Sequence, residues 1–334
     1  MKLSILLVAR NEERYIADCL NSIFSQVSSE LKRAGVEFIL VDGCSEDDTV
    51  KIAEDMLRDS GFIYRIFNNP DLTLSPGWNI ALKNSVGDYV VRPDVHSILL
   101  PGYFERGIAI LEKNSEITAV GGCLDTMAKN FIGSLNALAL SSKIGVGNSS
   151  FRTNAKDGFY ETCVFGIYRR SIFEEVGYFD LALVRHEDND MHERILFSGG
   201  LLYMCSSMKA VYYCRDTYGG LAKQMFRNGF HMFKMPIYKL KSMRSRHYAP
   251  IFLVSFFVLV SLIEIKYFIF LFGSYILTLA STSAILALIE KNYKYFFIFP
   301  SVLICHWSYG FGQFASIAIN ISYFIKSLIF KGEK

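Results

Sequence analysis

Three short polar runs carry residue types that could do chemistry. In "VVRPDVHS" (Val90–Ser97), Asp94 and His96 stand two positions apart just after an apolar run. A loop that holds a metal–diphosphate complex normally shows two carboxylates at this spacing, because a cation shared with substrate phosphates takes one or two of them. Here the second position is an imidazole. It suits Mn²⁺, poorly suits Mg²⁺, and ligates only when neutral. The pair therefore reads as a metal site with one unusual ligand, an inactive site or an ordinary polar loop. In "ARNEER" (Ala9–Arg14), Glu12 and Glu13 precede a helical pattern, where carboxylates favour the helix N-terminus. In "HEDNDMHERI" (His186–Ile195), Glu187, Asp188, Asp190 and Glu193 fit an exposed helix start. Asp190 would cap a helix beginning at Met191, with Arg194 as its partner.

The elements around these runs must position them. "KLSILLVA" reads as a parallel strand buried on both faces, and "EFILVDG" as a second one. Between them "NEERYIADCLNSIFSQ" places Ile16, Leu20, Ile23 and Phe24 at helical spacing. A helix over "TVKIAEDMLRDSG", capped by Asp47 or Asp48, a strand "YRIFNN", a helix "GWNIALKNS" and a third buried strand "DYVVRPD" follow. Such alternation implies a parallel sheet flanked by helices, with ligands beyond the carboxyl ends of the strands. Arg10, Asn11, Glu12, Asp42 and the Asp94–His96 loop should gather there. A dinucleotide-binding fold needs GxGxxG after the first strand, and "ARNEER" has no glycine. A phosphate's charge would then be met otherwise, by a divalent metal. The acidic run Glu46–Asp48 is explained as a helix cap. Further on, the chain reads as a Gly/Ser loop "IGVGNSSFR", strand–helix–turn in "ETCVFGIYRRSIFEEVGYFD", a strand ending in "CRDTYGG", and a helix "LAKQMFRNGFHMFK".

Composition sets the boundary. The 334 residues carry a net charge of +3, too small to argue for nucleic acid. Hydrophobic residues make up 51%, concentrated after Ala249. A spanning helix takes about 20 apolar residues. Tyr267–Ile289 and Phe296–Ile325 are uncharged and long enough, and Pro250–Ile263 makes a shorter third candidate. We therefore expect a catalytic domain over residues 1–245 and a membrane region over 246–334 with two to three transmembrane helices. The basic run "KLKSMRSRH" (Lys239–His247) before the apolar region favours the cytoplasmic face. Seven scattered cysteines without a CxxC pair fit reduced thiols, and the N-terminal apolar run has no cleavage-site pattern. Within "CHWSYGFGQ", His306 is a candidate for contact with a lipid-linked acceptor, but Gly310 and Gly312 first suggest close helix packing.

Taken in order, "SILLVARNEERYIADCLNSIFSQ", "EFILVDGCSEDDTVKIAED", "NIALKNSVGDYVVRPDVHS", "FGIYRRSIFEEVGYFD", "HEDNDMHERI" and "QMFRNG" resemble the family 2 glycosyltransferases over about Leu3–Lys234. "GVGNSSFR", the D-x-H and "HWSYGFG" narrow the resemblance to enzymes of the succinoglycan-biosynthesis type. The resemblance implies an α/β GT-A fold, a mainly parallel sheet flanked by helices, followed by C-terminal transmembrane helices. It implies inverting transfer of a sugar, a hexose, from an NDP-sugar (a UDP-sugar) to a lipid-linked saccharide in exopolysaccharide assembly at the cytoplasmic membrane. Ala9 and Asn11 would line the base, Glu12 the ribose hydroxyls, and Asp42 the base edge. Asp94 and His96 would hold donor and a divalent metal, Mn²⁺ or Mg²⁺, with Arg92 near the diphosphate or paired with Asp94. Matching the family's E-D-x-D makes Asp188 the general base, with Glu187 beside it to raise its pKa. Gln224 and Arg227 match Q-x-x-R-W, whose tryptophan is Asn228 here, which favours single-sugar addition over processive synthesis. An alternative from another class is a non-catalytic sugar-nucleotide-binding membrane subunit whose His96 marks a degenerate metal site. A third is transfer directly to polyprenyl phosphate.

Overall fold

The computed structural model describes residues 2–147, 156–233 and 245–331, with side chains of the last segment given from 247 to 320. "GVGNSSFR" from residue 148 on, and "KLKSMRSRH" up to residue 244, lie outside the described residues. In chain order the elements are β1 (Leu3–Ala9), α1 (Ile16–Phe24), α2 (Ser29–Ala34), β2 (Val36–Asp42), α3 (Thr49–Ser60), β3 (Ile63–Asn68), α4 (Leu74–Lys83), β4 (Tyr89–Val91), β5 (Ser97–Leu99), α5 (Tyr103–Lys113) and β6 (Ile117–Met127). They continue with α6 (Phe131–Leu140), α7 (Lys143–Val146), β7 (Gly158–Phe159), β8 (Val164–Arg169), α8 (Ile172–Glu175), α9 (Glu187–Phe197), β9 (Leu201–Tyr213), α10 (Tyr218–Met232), α11 (Ser245–Ile263), α12 (Ile265–Ile289) and α13 (Phe299–Lys331). The chain forms two compact units, Met1–Asp125 with Ser150–Tyr213 and Thr126–Ser149 with Cys214–Lys334.

The first unit is built on one mixed sheet, ordered β3-β2-β1-β4-β8-β6-β9-β5, with β7 on β9. Its first half is parallel, as the continuous apolar strands require. β1 pairs with β2 from Leu3↔Val36 to Ala9↔Asp42, and with β4 from Leu3↔Tyr89 to Ile5↔Val91. All of β2 is buried, including Glu37. That carboxylate accepts from Ser4 Oγ (2.5 Å), Arg65 Nη2 (2.6 Å) and Val86 N (2.7 Å), so its burial is compensated. Beyond β4 the pairs β4–β8, β6–β8 and β5–β9 are antiparallel, and β6 lies next to β9. The sequence reading did not delineate α5 or β6, although Tyr103, Phe104, Ile108 and Leu111 of α5 are buried at helical spacing. The core packs Leu6, Ile39, Val41 and Val90 of the sheet against Trp78 of α4 and Met191 and Ile195 of α9.

In the second unit α10 packs on α13, and the backbones meet closely. A Cβ on Gly312 would lie 2.1 Å from the Phe226 carbonyl oxygen, and one on Gly310 2.5 Å from that of Pro250. The glycine positions in "HWSYGFG" are therefore contact points between helices. Both nitrogens of His306 are engaged, Nδ1 with the Tyr275 hydroxyl and Nε2 with the Ile144 carbonyl oxygen, each at 2.7 Å. Ile265–Ile289 and Phe299–Asn320 are long and apolar enough to cross a membrane. On α12, Phe270, Leu277 and Leu288 are about 70% exposed, an apolar surface that water does not favour.

Candidate functional site

The carboxyl ends of β1, β2 and β4 lie side by side in the first unit, and their loops are tied together by backbone donors. Asn11, in the left-handed region (φ 56°), donates its N–H to Ser45 Oγ (2.9 Å) and accepts from Glu46 N (2.9 Å) through its side chain. Glu12 N donates to Thr49 Oγ1 (2.7 Å), and Glu13 N to Asp47 Oδ2 (3.2 Å). Asp47 also accepts from Thr49 N (3.1 Å), so the acidic run laces two loops and starts α3. Asp42, opposite Ala9 in register, is buried and accepts from Ser45 N at 3.0 and 3.3 Å. One N–H leaves a carboxylate with unused lone pairs.

After β4 the chain makes a tight turn in which the Asp94 carbonyl oxygen accepts from Ser97 N (3.0 Å) and Ser97 Oγ (2.6 Å). The turn leaves Asp94 and His96 half-buried. His96 Nδ1 lies 3.6 Å from Glu12 Oε1, and the ring sits between Tyr15 and Tyr212, at centroid distances of 6.3 and 5.4 Å. Glu12 therefore stands beside the metal candidates, a pairing absent from the sequence reading. Among the described residues no three His, Cys, Asp or Glu side chains form a ready-made metal cage. An Asp oxygen and a His nitrogen fit a cation that takes its remaining ligands from a substrate diphosphate.

Arg92 joins this loop to the start of α9. Its guanidinium lies between the rings of Trp78 (5.0 Å) and Phe179 (4.8 Å), and Nη1 is 3.8 Å from Glu187 Oε1. Both side chains are nearly enclosed, at 13% and 10% exposure. Arg92 thus faces Glu187 as a direct partner. Burial acts against its charge, but the surrounding Tyr168, Glu187, Asp188 and Asp94 outweigh that and hold it protonated. Burial, then the neighbouring Asp188, pushes Glu187 up to about 7. Burial also acts to raise Asp188, but the Arg92 charge foremost, with the Asn189 N–H donated to Oδ1 (2.8 Å), brings it below the usual carboxylate value. The raised member of the pair is Glu187, and the ionised, more exposed member is Asp188.

The helix carrying them starts earlier than expected. α9 begins at Glu187, after His186 in the left-handed region (φ 65°), and not at Met191. The reason is the dipole: Glu187, Asp188 and Asp190 all fall in the first turn, where negative charge is favoured. Asp190 accepts from Arg194 Nε (3.1 Å), the expected partner. Arg194 also donates to the carbonyls of Val176 (2.6 Å), Gly177 (3.0 Å) and Tyr178 (3.0 Å), fixing the helix to the preceding loop.

One turn below Asp188 lies a residue that sequence reasoning missed. His192 is buried, with Nε2 2.7 Å from the Tyr168 hydroxyl and Nδ1 3.0 Å from Thr162 Oγ1. Burial pulls it down to about 4, so the ring is neutral near pH 7. Its four-residue spacing from Asp188 was the available signal. Gln224 and Arg227 belong to the second unit, on α10.

The model of the family described as glycosyl transferase family 2 matches residues 4–177. The chain is 24% identical over 234 residues to dolichyl N-acetyl-alpha-D-glucosaminyl phosphate 3-beta-D-2,3-diacetamido-2,3-dideoxy-beta-D-glucuronosyltransferase of Methanococcus voltae, covering 68% of this chain and 71% of that one. It is 25% identical over 223 residues to succinoglycan biosynthesis protein ExoA of Rhizobium meliloti, covering 64% and 67%. The mannosyltransferase PcManGT of Pyrobaculum calidifontis, solved with GDP-Man and Mn²⁺, shares the fold with a TM-score of 0.59 over 91% of this chain and 85% of that one, at 16% identity.

Proposed function

The chain belongs to glycosyl transferase family 2, and on that premise we propose that it transfers a hexose, with inversion, from a UDP-sugar to a lipid-linked oligosaccharide in exopolysaccharide assembly. The observation that carries this reading is the carboxylate pair at the start of α9. Glu187 is buried and faced by Arg92, while Asp188 beside it is ionised and more exposed. Asp188 takes the proton of the acceptor hydroxyl as that oxygen bonds to the anomeric carbon, and the bond from that carbon to the β-phosphate oxygen breaks. Arg92 keeps the base ionised. Asp42 has lone pairs for the imide N–H of uracil, and Glu12 can accept from ribose hydroxyls.

Asp94 and His96 would hold a divalent metal, with Glu12 alongside, and the bound cation would neutralise charge on the diphosphate. The acceptor class is supported by two relatives, one a transferase named for a dolichyl-linked sugar phosphate and one a succinoglycan biosynthesis protein. The two apolar helices support attachment to a membrane, and the basic run before them supports a catalytic unit on the cytoplasmic side. Asp188→Asn should abolish transfer while UDP still binds. The assay is UDP release from a panel of NDP-sugars with membrane lipid extract, alongside titration calorimetry with UDP. Normal turnover by that variant would remove Asp188 from the role. UDP binding without release by the wild type would favour a binding subunit.

A further inference from the structure

α10 carries three parallel stripes at four-residue spacing. Leu221, Met225 and Gly229 are buried. Ala222, Phe226 and Phe230 form an apolar stripe, in which the two phenylalanine rings stack at 6.1 Å. Lys223, Arg227 and His231 form a basic stripe, and the helix has no acidic residue. An amphipathic helix with aromatic and cationic faces suits a membrane surface bearing anionic groups.

Between α10 and α13 lies an open groove of about 690 Å³, within the second unit. Ala222, Phe226, Phe311, Phe314 and Ala315 supply its apolar lining, and Phe226, Phe311 and Phe314 remain roughly 40% exposed. Ser308 and Lys223 are its polar members, and Lys223 is exposed and brings the one charge. α13 includes the candidate span Phe299–Asn320, so the groove is formed by a helix suited to lipid. Bulk lipid needs no such feature, since α12 already offers it a broad apolar surface. What distinguishes the groove is an apolar trough with one exposed lysine ammonium in its lining, the complement of a hydrocarbon chain that ends in phosphate.

We propose that the groove between α10 and α13 seats the hydrocarbon chain of the phosphate-bearing lipid acceptor, with Lys223 meeting the phosphate. The proposal rests on the lipid-linked acceptor of the preceding section and names its binding place. The phosphate has two contacts available, the Lys223 ammonium and the Ser308 hydroxyl, and the aromatic rings hold the chain.

The test uses the full chain in phosphatidylcholine nanodiscs with a diazirine-bearing polyprenyl phosphate as probe and no sugar donor. Label should be recovered on peptides containing Phe226, Phe311 or Phe314. Unlabelled polyprenyl phosphate should displace it, whereas a tenfold excess of phosphatidylglycerol should not. Lys223→Glu and Phe311→Ala, both at exposed positions and expected to fold, should each cut groove labelling at least fivefold. Label concentrated on α12, equal displacement by phosphatidylglycerol, or undiminished labelling in Lys223→Glu would overturn the proposal. Because labelling needs no turnover, the two readings fail separately. A labelled groove without transfer to any lipid acceptor would sink the acceptor assignment, and transfer without groove labelling would sink the groove.

Discussion

Arg92→Met deletes one charge and keeps an unbranched side chain between Trp78 and Phe179. At 3.8 Å and an effective dielectric of about 20, Arg92 and Glu187 attract by roughly 4 kcal/mol. That equals about 3 pKa units if fully expressed. Relaxation and entering water reduce it, so about 1–2 units should remain for the Glu187–Asp188 pair, whose protons titrate together. Arg92 lowers both carboxylates, so its loss raises both. The base must be ionised to act, and the acid limb of the transfer rate should therefore move up by about 1–2 pH units. Leaving buried carboxylates without their counter-charge should also cost about 3–5 kcal/mol of stability above neutrality. That loss should shrink as pH falls and Glu187 takes up its proton. The assays are single-turnover UDP release from pH 5 to 9 and thermal melting over the same range. Arg92→Lys, which keeps charge but loses the flat face, should retain the wild-type limb and lose about 1 kcal/mol. A wild-type acid limb in Arg92→Met, with an unchanged melting temperature, would refute the role given to this side chain.

Two further predictions concern His96 and His192. His96→Asp should relax metal preference from Mn²⁺ toward Mg²⁺, and His96→Ala should lose most metal stimulation of UDP release while UDP still binds; equal Mg²⁺ and Mn²⁺ response in wild type and His96→Asp would argue against a His96–metal bond. His192 is held neutral in the fold at about 4, below its ordinary value near 6.5, so the unfolded chain takes up the extra proton first and wild-type stability at this site is lost between about pH 6.5 and 4, by up to roughly 3 kcal/mol. Glu187 acts in the opposite sense between about pH 7 and 4.5, where the folded state binds its proton first, so the two nearly cancel in the wild type. His192→Asn removes one of them: its melting deficit should be largest near pH 7 and narrow toward pH 5, and a constant deficit across that range would contradict a neutral buried imidazole.

Sequence alone determined much of this protein, because the signals involved are local. Continuous apolar runs such as "KLSILLVA" and "EFILVDG", strand-length and bounded by polar residues, read as central parallel strands, and that topology brings Asp42 and the Asp94–His96 turn to one end of the sheet. The length and composition of Tyr267–Ile289 marked a candidate span without any tertiary information, and the structure places a helix long enough to cross a membrane over Ile265–Ile289. The glycine positions at 310 and 312 announced close helix contact before their partners, Pro250 and Phe226, were known. Partner choice across long separations was decided only in the tertiary structure. Glu12 meets His96, and Arg92 meets Glu187 between two aromatic rings, because separate loops converge on one sheet edge. Propensity is blind to such pairings. The start of α9 at Glu187 was likewise set by three carboxylates competing for one helix terminus, in the field of an arginine 95 positions earlier in the chain. The same field, with burial, decides which of two adjacent carboxylates keeps its proton near neutral pH. Residue type and spacing nominate Glu187 and Asp188 together, and only their unequal surroundings separate them.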